Sequence, residues 1–211
     1  ASNRNDGKHF IVVIGGDAIS DADVTQGNAR STLNSDDYIV NLISGVSVGS
    51  DTYSSSVFAP WVAGLIAGTA INRSTTYAQV PVDDVTKRLT NAQIKAALAA
   101  GSLVLVNDGE KVKVEQGLTT SKQKIRSVRA RQAISTDITR TAADNYIGKL
   151  DNNKDGQATL IVAVTAYLEQ LAKSSVLTGP IVALDPQRPS VGDSVFLVIS
   201  YAEVDSIERI F

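Results

Sequence analysis

The sequence predicts an α/β protein, layered in the α+β manner, with a mixed sheet flanked by helices. Three observations carry this. A continuous apolar run at 10–14 closes on Gly15-Gly16, as a buried strand ends in a turn. Helical patterns at 54–68 and 91–100 alternate with short strand patterns. Two long amphipathic periods, 125–147 and 156–173, are followed by further strand patterns.

In chain order, 1–8 is a polar lead and 9–14 the first strand. Residues 17–36, rich in Asp, Ser, Thr and Asn, read as loop with at most a short helical turn. Residues 37–43 fit a short strand or a short helix. A helix begins at 54–56 under a serine cap, with Val57, Trp61, Leu65 and Gly68 as its face and Pro60 in its first turn. The Val80-Pro81 pair holds 72–85 extended. Thr90 caps a helix over 91–100 that Gly101 ends. Residues 103–106 and 111–115 form a hairpin around Asn107-Asp108-Gly109, the first arm buried on both faces and the second on one.

Ile134, Ile138, Ala142 and Tyr146 mark one face of the first long helix, with Arg126, Arg129, Arg131 and Arg140 read as mostly solvated. Ile161, Val164, Leu168 and Leu171 mark a face of the second, with Asp155 read as its cap. Strands are expected at 181–184, 194–201 and 206–211.

The composition narrows the function classes. A chain of 211 residues buries roughly 70% of its unfolded surface and needs no covalent staples. Zero cysteines exclude disulfides, thiolate metal sites and a Cys nucleophile, and the single histidine, His9, excludes a histidine-rich metal site. A net charge of −2 supplies no electrostatic pull toward nucleic acid or an anionic membrane. No apolar run approaches the roughly 20 residues that cross a bilayer.

Three constellations bear on chemistry. Asp151, Asn153, Asp155 and Gly156 fall at positions 1, 3, 5 and 6 of a calcium loop, but position 12 is Val162 where a bidentate carboxylate belongs, so the segment reads as a helix–turn–helix joint. A serine triad could use only His9 as base, and no Gly-x-Ser-x-Gly elbow is present. Gly15-Gly16-Asp17 follows a strand as phosphate loops do, but lacks both the dinucleotide glycine register and the Walker lysine. No catalytic, cofactor or metal residue is assigned. The competing reading is an α/β-fold hydrolase or nucleotide-binding enzyme with a pocket around His9, Asp17 and a serine.

Four phrases, in order, carry a resemblance: Trp61 through Thr69; Leu89-Thr90-Asn91 with Ile94, Ala97-Leu98 and Ala100-Gly101; Thr139-Arg140, Tyr146-Ile147-Gly148-Lys149, Asn152-Asn153 and Asp155-Gly156; and Val204-Asp205-Ser206-Ile207-Glu208 with Ile210. Together they resemble the contractile tail sheath proteins of phages and prophage-like particles. The resemblance implies a sheath core with a subtilisin-like fold over 1–120 and a C-terminal domain over 121–211. It also implies a non-enzymatic subunit, without cofactor, that polymerises helically on a tail tube and contracts to drive the tube through a cell envelope. Neighbouring sheath subunits and the tube protein are the partners implied, in a virion tail assembled in the bacterial host cytoplasm. Such subunits exchange strands through terminal arms; the N-terminal arm is expected to be absent here, leaving a monomer or weak oligomer. Val195, Leu197, Ile199, Ile207, Glu208, Arg209 and Ile210 are the expected exchange residues, and Lys149, Lys154 and Lys173 the expected tube contacts.

Overall fold

The computed structural model describes residues 9–208. Two compact units are present: the described residues through Arg129 together with Glu208, and Ala130–Ile207. The class is α/β, with the strands divided among several small sheets.

In the first unit, β1 (Val12–Ile14), β2 (Ile39–Leu42) and β7 (Ser102–Leu103) form a parallel sheet in the order β1-β2-β7. Parallel pairing needs crossovers, and the first is made by α1 (Ala18–Asp21) and α2 (Val24–Leu33). Residues 17–36 are therefore helical where loop is expected. Their polar residues serve as caps: Asp17 accepts from the Ser20 N–H, and Asp23 from the Thr25 N–H, each at 2.9 Å. A second sheet has the order β4-β3-β6, from β3 (Val46–Val48), β4 (Asp51–Tyr53) and β6 (Asp84–Val85). A third has the order β5-β9-β8, from β5 (Gln79–Val80), β8 (Leu105–Asn107) and β9 (Val112–Val114).

The hairpin at Asn107-Asp108-Gly109 is present. Asp108 accepts from the Lys111 and Glu110 N–H groups and pairs with Lys113 at 3.1 Å, which together hold its carboxyl near 2. Across β9, Val112 and Val114 are buried while Lys113 is half-buried, the expected alternation.

Helix α3 (Ser55–Gly68) turns a different face inward from the one its spacing suggests. Ser55, Ala59, Val62 and Ile66 are buried, whereas Val57 and Trp61 are 63% and 36% exposed. The helix contains no charged residue, so it is apolar all round and periodicity cannot select a face. Small Ala59 faces the core, while the larger Trp61 lies outside, stacked on Phe58 at 5.1 Å between ring centroids. Pro60 falls inside the helix and not in its first turn, so one intrahelical hydrogen bond is forgone.

Helix α4 (Asn91–Ala100) matches expectation closely: Thr90 and Gln93 form a reciprocal capping box, and Gly101 ends the helix at φ 81°. A Cβ at Gly101 would lie 2.4 Å from the Thr120 carbonyl oxygen, so glycine is required there twice over.

The second unit holds the rest of α5 (Ile125–Asn145), with α6 (Lys154–Lys173) and an antiparallel hairpin of β10 (Leu177–Leu184) and β11 (Leu197–Glu203). Its core joins Ile134, Val164, Leu168 and Leu177, with Leu197 and Ile199 packed against them. β10 begins earlier than expected because a register shift between Thr178 and Ile181 accommodates Gly179-Pro180. Residues 206–208 are not in a strand, and 209–211, the remainder of that expected element, lie outside the described residues.

The cap of α6 is Asn153 and not Asp155: its side-chain oxygen accepts from the Asp155 and Gly156 N–H groups at 3.0 and 2.9 Å. The acidic Asp155 sits in the first turn, where a negative charge still favours the helix. Asn153→Ala is therefore expected to lower unfolding free energy by about 1 kcal/mol, and Asp155→Ala by only a few tenths. Urea denaturation of both variants checks the order, and a larger loss for Asp155→Ala would contradict it.

Candidate functional site

The glycine turn that follows β1 is filled by protein. A Cβ at Gly15 would fall 2.3 Å from the Ser55 carbonyl carbon, so the turn lies directly against the start of α3. The first amides of a helix lack intrahelical partners, and here the fold supplies them. Asp21 Oδ2 accepts from the Ser55 N–H at 2.6 Å, and the Gly16 carbonyl accepts from the Ser56 N–H at 2.9 Å. The Ser55 hydroxyl donates to Asp21 Oδ1 at 2.6 Å and accepts from the Gly16 N–H at 2.6 Å. Ser54, at the cap position, makes no side-chain capping bond.

Asp21 is only 6% exposed. Burial pushes its carboxyl up, against the opposing hydrogen bonds from Ser55 and the charge of Arg30. Arg30 is engaged in turn, donating to Asn41 Oδ1 at 2.7 Å and to the Leu42 carbonyl at 3.1 Å. Asn41 continues the network to Ser31, whose hydroxyl lies 2.7 Å from that of Ser102. This is a buried polar brace in which donors and acceptors are matched.

Of the residues proposed for an enzymatic pocket, His9 is exposed and Asp17 caps α1 at the surface, while the serine and aspartate buried together beside the turn are Ser55 and Asp21. The aspartate is thus bound straight to the serine, an arrangement that accepts the hydroxyl proton without an imidazole to relay it. Asp21 and the paired backbone are what sequence reasoning missed; an isolated Asp in a polar stretch carries no local sign that it will cap a helix 34 residues away.

The turn between α5 and α6 is likewise a joint. Asn153 caps α6, while Asn152 donates to the Gly192 and Ser194 carbonyls at 2.9 and 3.2 Å. A Cβ at Gly156 would lie 2.0 Å from the Asp151 carbonyl oxygen, so close backbone approach explains that glycine without a metal. The arginines divide instead of forming one solvated stripe. Arg126 is buried, Arg129 donates to the Ala67 carbonyl, Arg131 pairs with Glu203 at 3.0 Å, and Arg140 pairs with Asp137 at 3.2 Å. Arg126 differs because the first turn of α5, from Ile125 to Val128, is set into the core of the first unit.

The expected exchange residues lie in two kinds of surroundings. Leu197 and Ile199 face the helices, whereas Val198 between them is 44% exposed. Val195, Leu197 and Ile199 line an open groove of about 540 Å³ together with Tyr146, Leu150 and Leu160. Ile207 is 87% exposed, and Glu208 is held by side chains of the first unit. Arg209 and Ile210 lie outside the described residues. Lys149, Lys154 and Lys173 are all exposed, but Lys173 closes the helix that Lys154 opens, about 28 Å away at 1.5 Å per residue.

Among the described residues, β10 and β11 pair only with each other, so each has one edge without a strand. The outward face of α3 is also without cover: a Cβ at Gly64 or Gly68 would meet nothing within 4 Å.

The brace yields a test of its own. Ser55→Ala removes the hydroxyl donor from a buried carboxylate and is expected to cost about 1–3 kcal/mol near pH 7. Because the folded-state pKa of Asp21 is raised, its ionisation works against folding as pH rises above the ordinary aspartate value. The loss is therefore expected to shrink as pH falls to the ordinary aspartate range, since the raised pKa means that Asp21 takes up its proton before that range is reached. Urea melts at the two pH values measure it, and an equal loss at both would contradict the account.

Residues 1–120 match the family profile described as the phage tail sheath protein central domain, and 119–211 that of the phage tail sheath C-terminal domain. The chain is 32% identical to the tail sheath protein of Clostridium phage phiCD119 over 151 residues, which are 66% of this chain and 42% of that protein. The fold is similar to the sheath tail protein from Desulfitobacterium hafniense, with TM-score 0.73 and 22% identity, covering 95% of this chain and 50% of that one. It is also similar to a chain of the anti-feeding prophage helical sheath in the contracted state, with TM-score 0.73 and 16% identity, covering 100% of this chain and 62% of the other. This chain thus spans about half the length of these relatives. With both domain profiles matched in order along its length, the chain belongs to the phage tail sheath family.

Proposed function

We propose that this chain is the core and C-terminal part of a structural subunit of a contractile tail sheath. Such a subunit polymerises helically around a tail tube and contracts to drive the tube through a cell envelope. The observation that carries the proposal is the two-stranded β10–β11 sheet, which among the described residues has an edge without a strand on each side, in a chain of this family. A two-stranded sheet is marginal in water, and an open edge is a template for another strand. Strands from neighbouring copies give main-chain bonds with direction, and a head-to-tail contact of that kind propagates as an open helix.

On this reading the exchanging surface is the β11 edge with Val195, Leu197, Ile199 and Ile207. We assign Glu208, Arg209 and Ile210 to the same surface, the last two lying outside the described residues. The uncovered α3 face, with Val57 and Trp61, is a second contact between subunits, since contiguous apolar exposure marks an interaction site. For the tube we assign Lys149 and Lys154, at the turn between α5 and α6, and Lys173 as a separate point of contact. The role is mechanical and involves no catalysis, because the buried serine and aspartate are committed to holding a helix end. Assembly takes place in the cytoplasm of the bacterial host.

Electron microscopy of the full-length parent protein mixed with its tube tests the reading. Helical sheaths on tubes are expected, and persistent monomers under polymerising conditions would refute it. Ile207→Glu is expected to leave folding within about 0.5 kcal/mol, since the side chain is exposed, while raising the critical concentration for polymerisation about tenfold. Charge reversal at Lys149, Lys154 and Lys173 together is expected to abolish co-assembly with the tube, and unchanged assembly would remove the tube assignment.

A further inference from the structure

Glycines hold most of the positive φ angles among the described residues, and three other residues, Tyr77, Lys122 and Ser175, hold the rest. Ser175 follows the C-cap of α6, where a left-handed residue is ordinary. Lys122 carries an unbranched, exposed chain. Tyr77 is different: it is bulky, it stands at φ 60°, and it is 53% exposed. Thr75–Ala78 is a tight turn, closed by the Ala78 N–H on the Thr75 carbonyl at 3.1 Å, and Tyr77 takes its third position. A positive φ at that position calls for glycine or asparagine.

The adjoining strand keeps the backbone in this shape. The Tyr77 N–H donates to the Val114 carbonyl at 2.8 Å, and the Val114 N–H donates to the Ala78 carbonyl at 3.0 Å. In a left-handed L-residue Cβ crowds the following carbonyl oxygen, at a cost of about five- to thirtyfold in a folding equilibrium. The ring gains one contact in return: Lys113 Nζ lies 4.4 Å from its centroid. Lys113 is itself paired with Asp108 at 3.1 Å, whose carboxylate accepts from the Glu110 and Lys111 N–H groups. The β8–β9 hairpin thus fixes the cation, and the cation buttresses the ring. A cation–π contact at an exposed site is worth about two- to fivefold, less than the conformation costs. The turn's own needs therefore favour glycine, and they do not explain the tyrosine.

We propose that Tyr77 is an anchor for a second copy of this chain: its ring, buttressed on one face by Lys113, presents the other face to an apolar surface of the neighbouring subunit. The proposal rests on the reading above, in which copies assemble helically. A head-to-tail contact recurs at every subunit of such an assembly, so one strained residue per chain serves the whole lattice. An aromatic side chain already held in place loses little freedom on binding, and tyrosine is among the residues that carry most interface energy. Tyr77 lies in the first unit, so this contact is separate from the β10–β11 edge in the second.

Tyr77→Gly separates a role in the fold from a role in assembly. In urea the substituted chain is expected to keep its folding equilibrium constant within about threefold, because relief of the turn offsets the lost cation–π contact and the freer unfolded backbone. In the full-length parent the same substitution is expected to raise the critical concentration for polymerisation about thirtyfold, the scale of removing an interface anchor. Tyr77→Asn, which also accepts positive φ, is expected to give both results. A folding constant that falls by about tenfold or more shows that the ring serves its own fold, and overturns the proposal. A critical concentration raised by less than about threefold shows that no neighbouring copy uses the ring, and overturns it too. If the parent polymerises and Tyr77→Gly polymerises equally well, only the anchor is removed and the sheath reading stands. If the parent forms no polymer, both fall.

Discussion

A sheet of two strands leaves as much backbone unpaired at its edges as it pairs within, and the second unit is built on such a sheet. α5 and α6 cover one face of the β10–β11 hairpin through Ile134, Val164 and Leu168. Helices can satisfy the side chains of a face but not the N–H and C=O groups of an edge. Water can do so in the isolated chain. Another strand does so better, with direction and register. The alternation along β11 fits that division of labour: Leu197, Ile199 and Tyr201 face the helices, while Val198, Ser200 and Ala202 face out.

The first unit meets the same accounting internally. Its glycine turn, Asp21 and Ser55 complete the amino end of α3, and Arg30, Asn41, Ser31 and Ser102 extend the brace. Ser55 and Asp21 are thereby engaged in holding a helix end. Glu208, beyond β11, is held by that unit's Ser74, Thr76, Gln116 and Lys124. The contrast between the braced helix end and the unpaired edge is what the proposed strand exchange requires.

Much of this was legible before any coordinates. Helix α4 was readable to the residue because Thr90, Gln93 and Gly101 are local signals with local partners. The hairpin at Asn107-Asp108-Gly109 and the two long helices were readable for the same reason. What failed depended on distance or on an absence of contrast. Residues 17–36 hid two helices because their Asp and Ser residues act as caps, which in composition look like loop. The face of α3 was misassigned because no charged residue breaks its apolar surface. Asn153 displaced Asp155 as cap by two residues, the ordinary error of a boundary. The Asp21–Ser55 brace and the Glu208–Gln116 contact join residues 34 and 92 positions apart, which no local pattern encodes.

Hydrogen exchange, resolved to individual amides of β10 and β11, tests the central claim most directly: that this sheet is incomplete alone and is completed by a neighbour. Measured on the full-length parent before and after polymerisation on tubes, the edge-facing amides of both strands should exchange freely in the monomer. They should become protected in the polymer, while the amides paired within the hairpin change little. Edge amides that exchange equally fast in both states would contradict strand addition at this sheet.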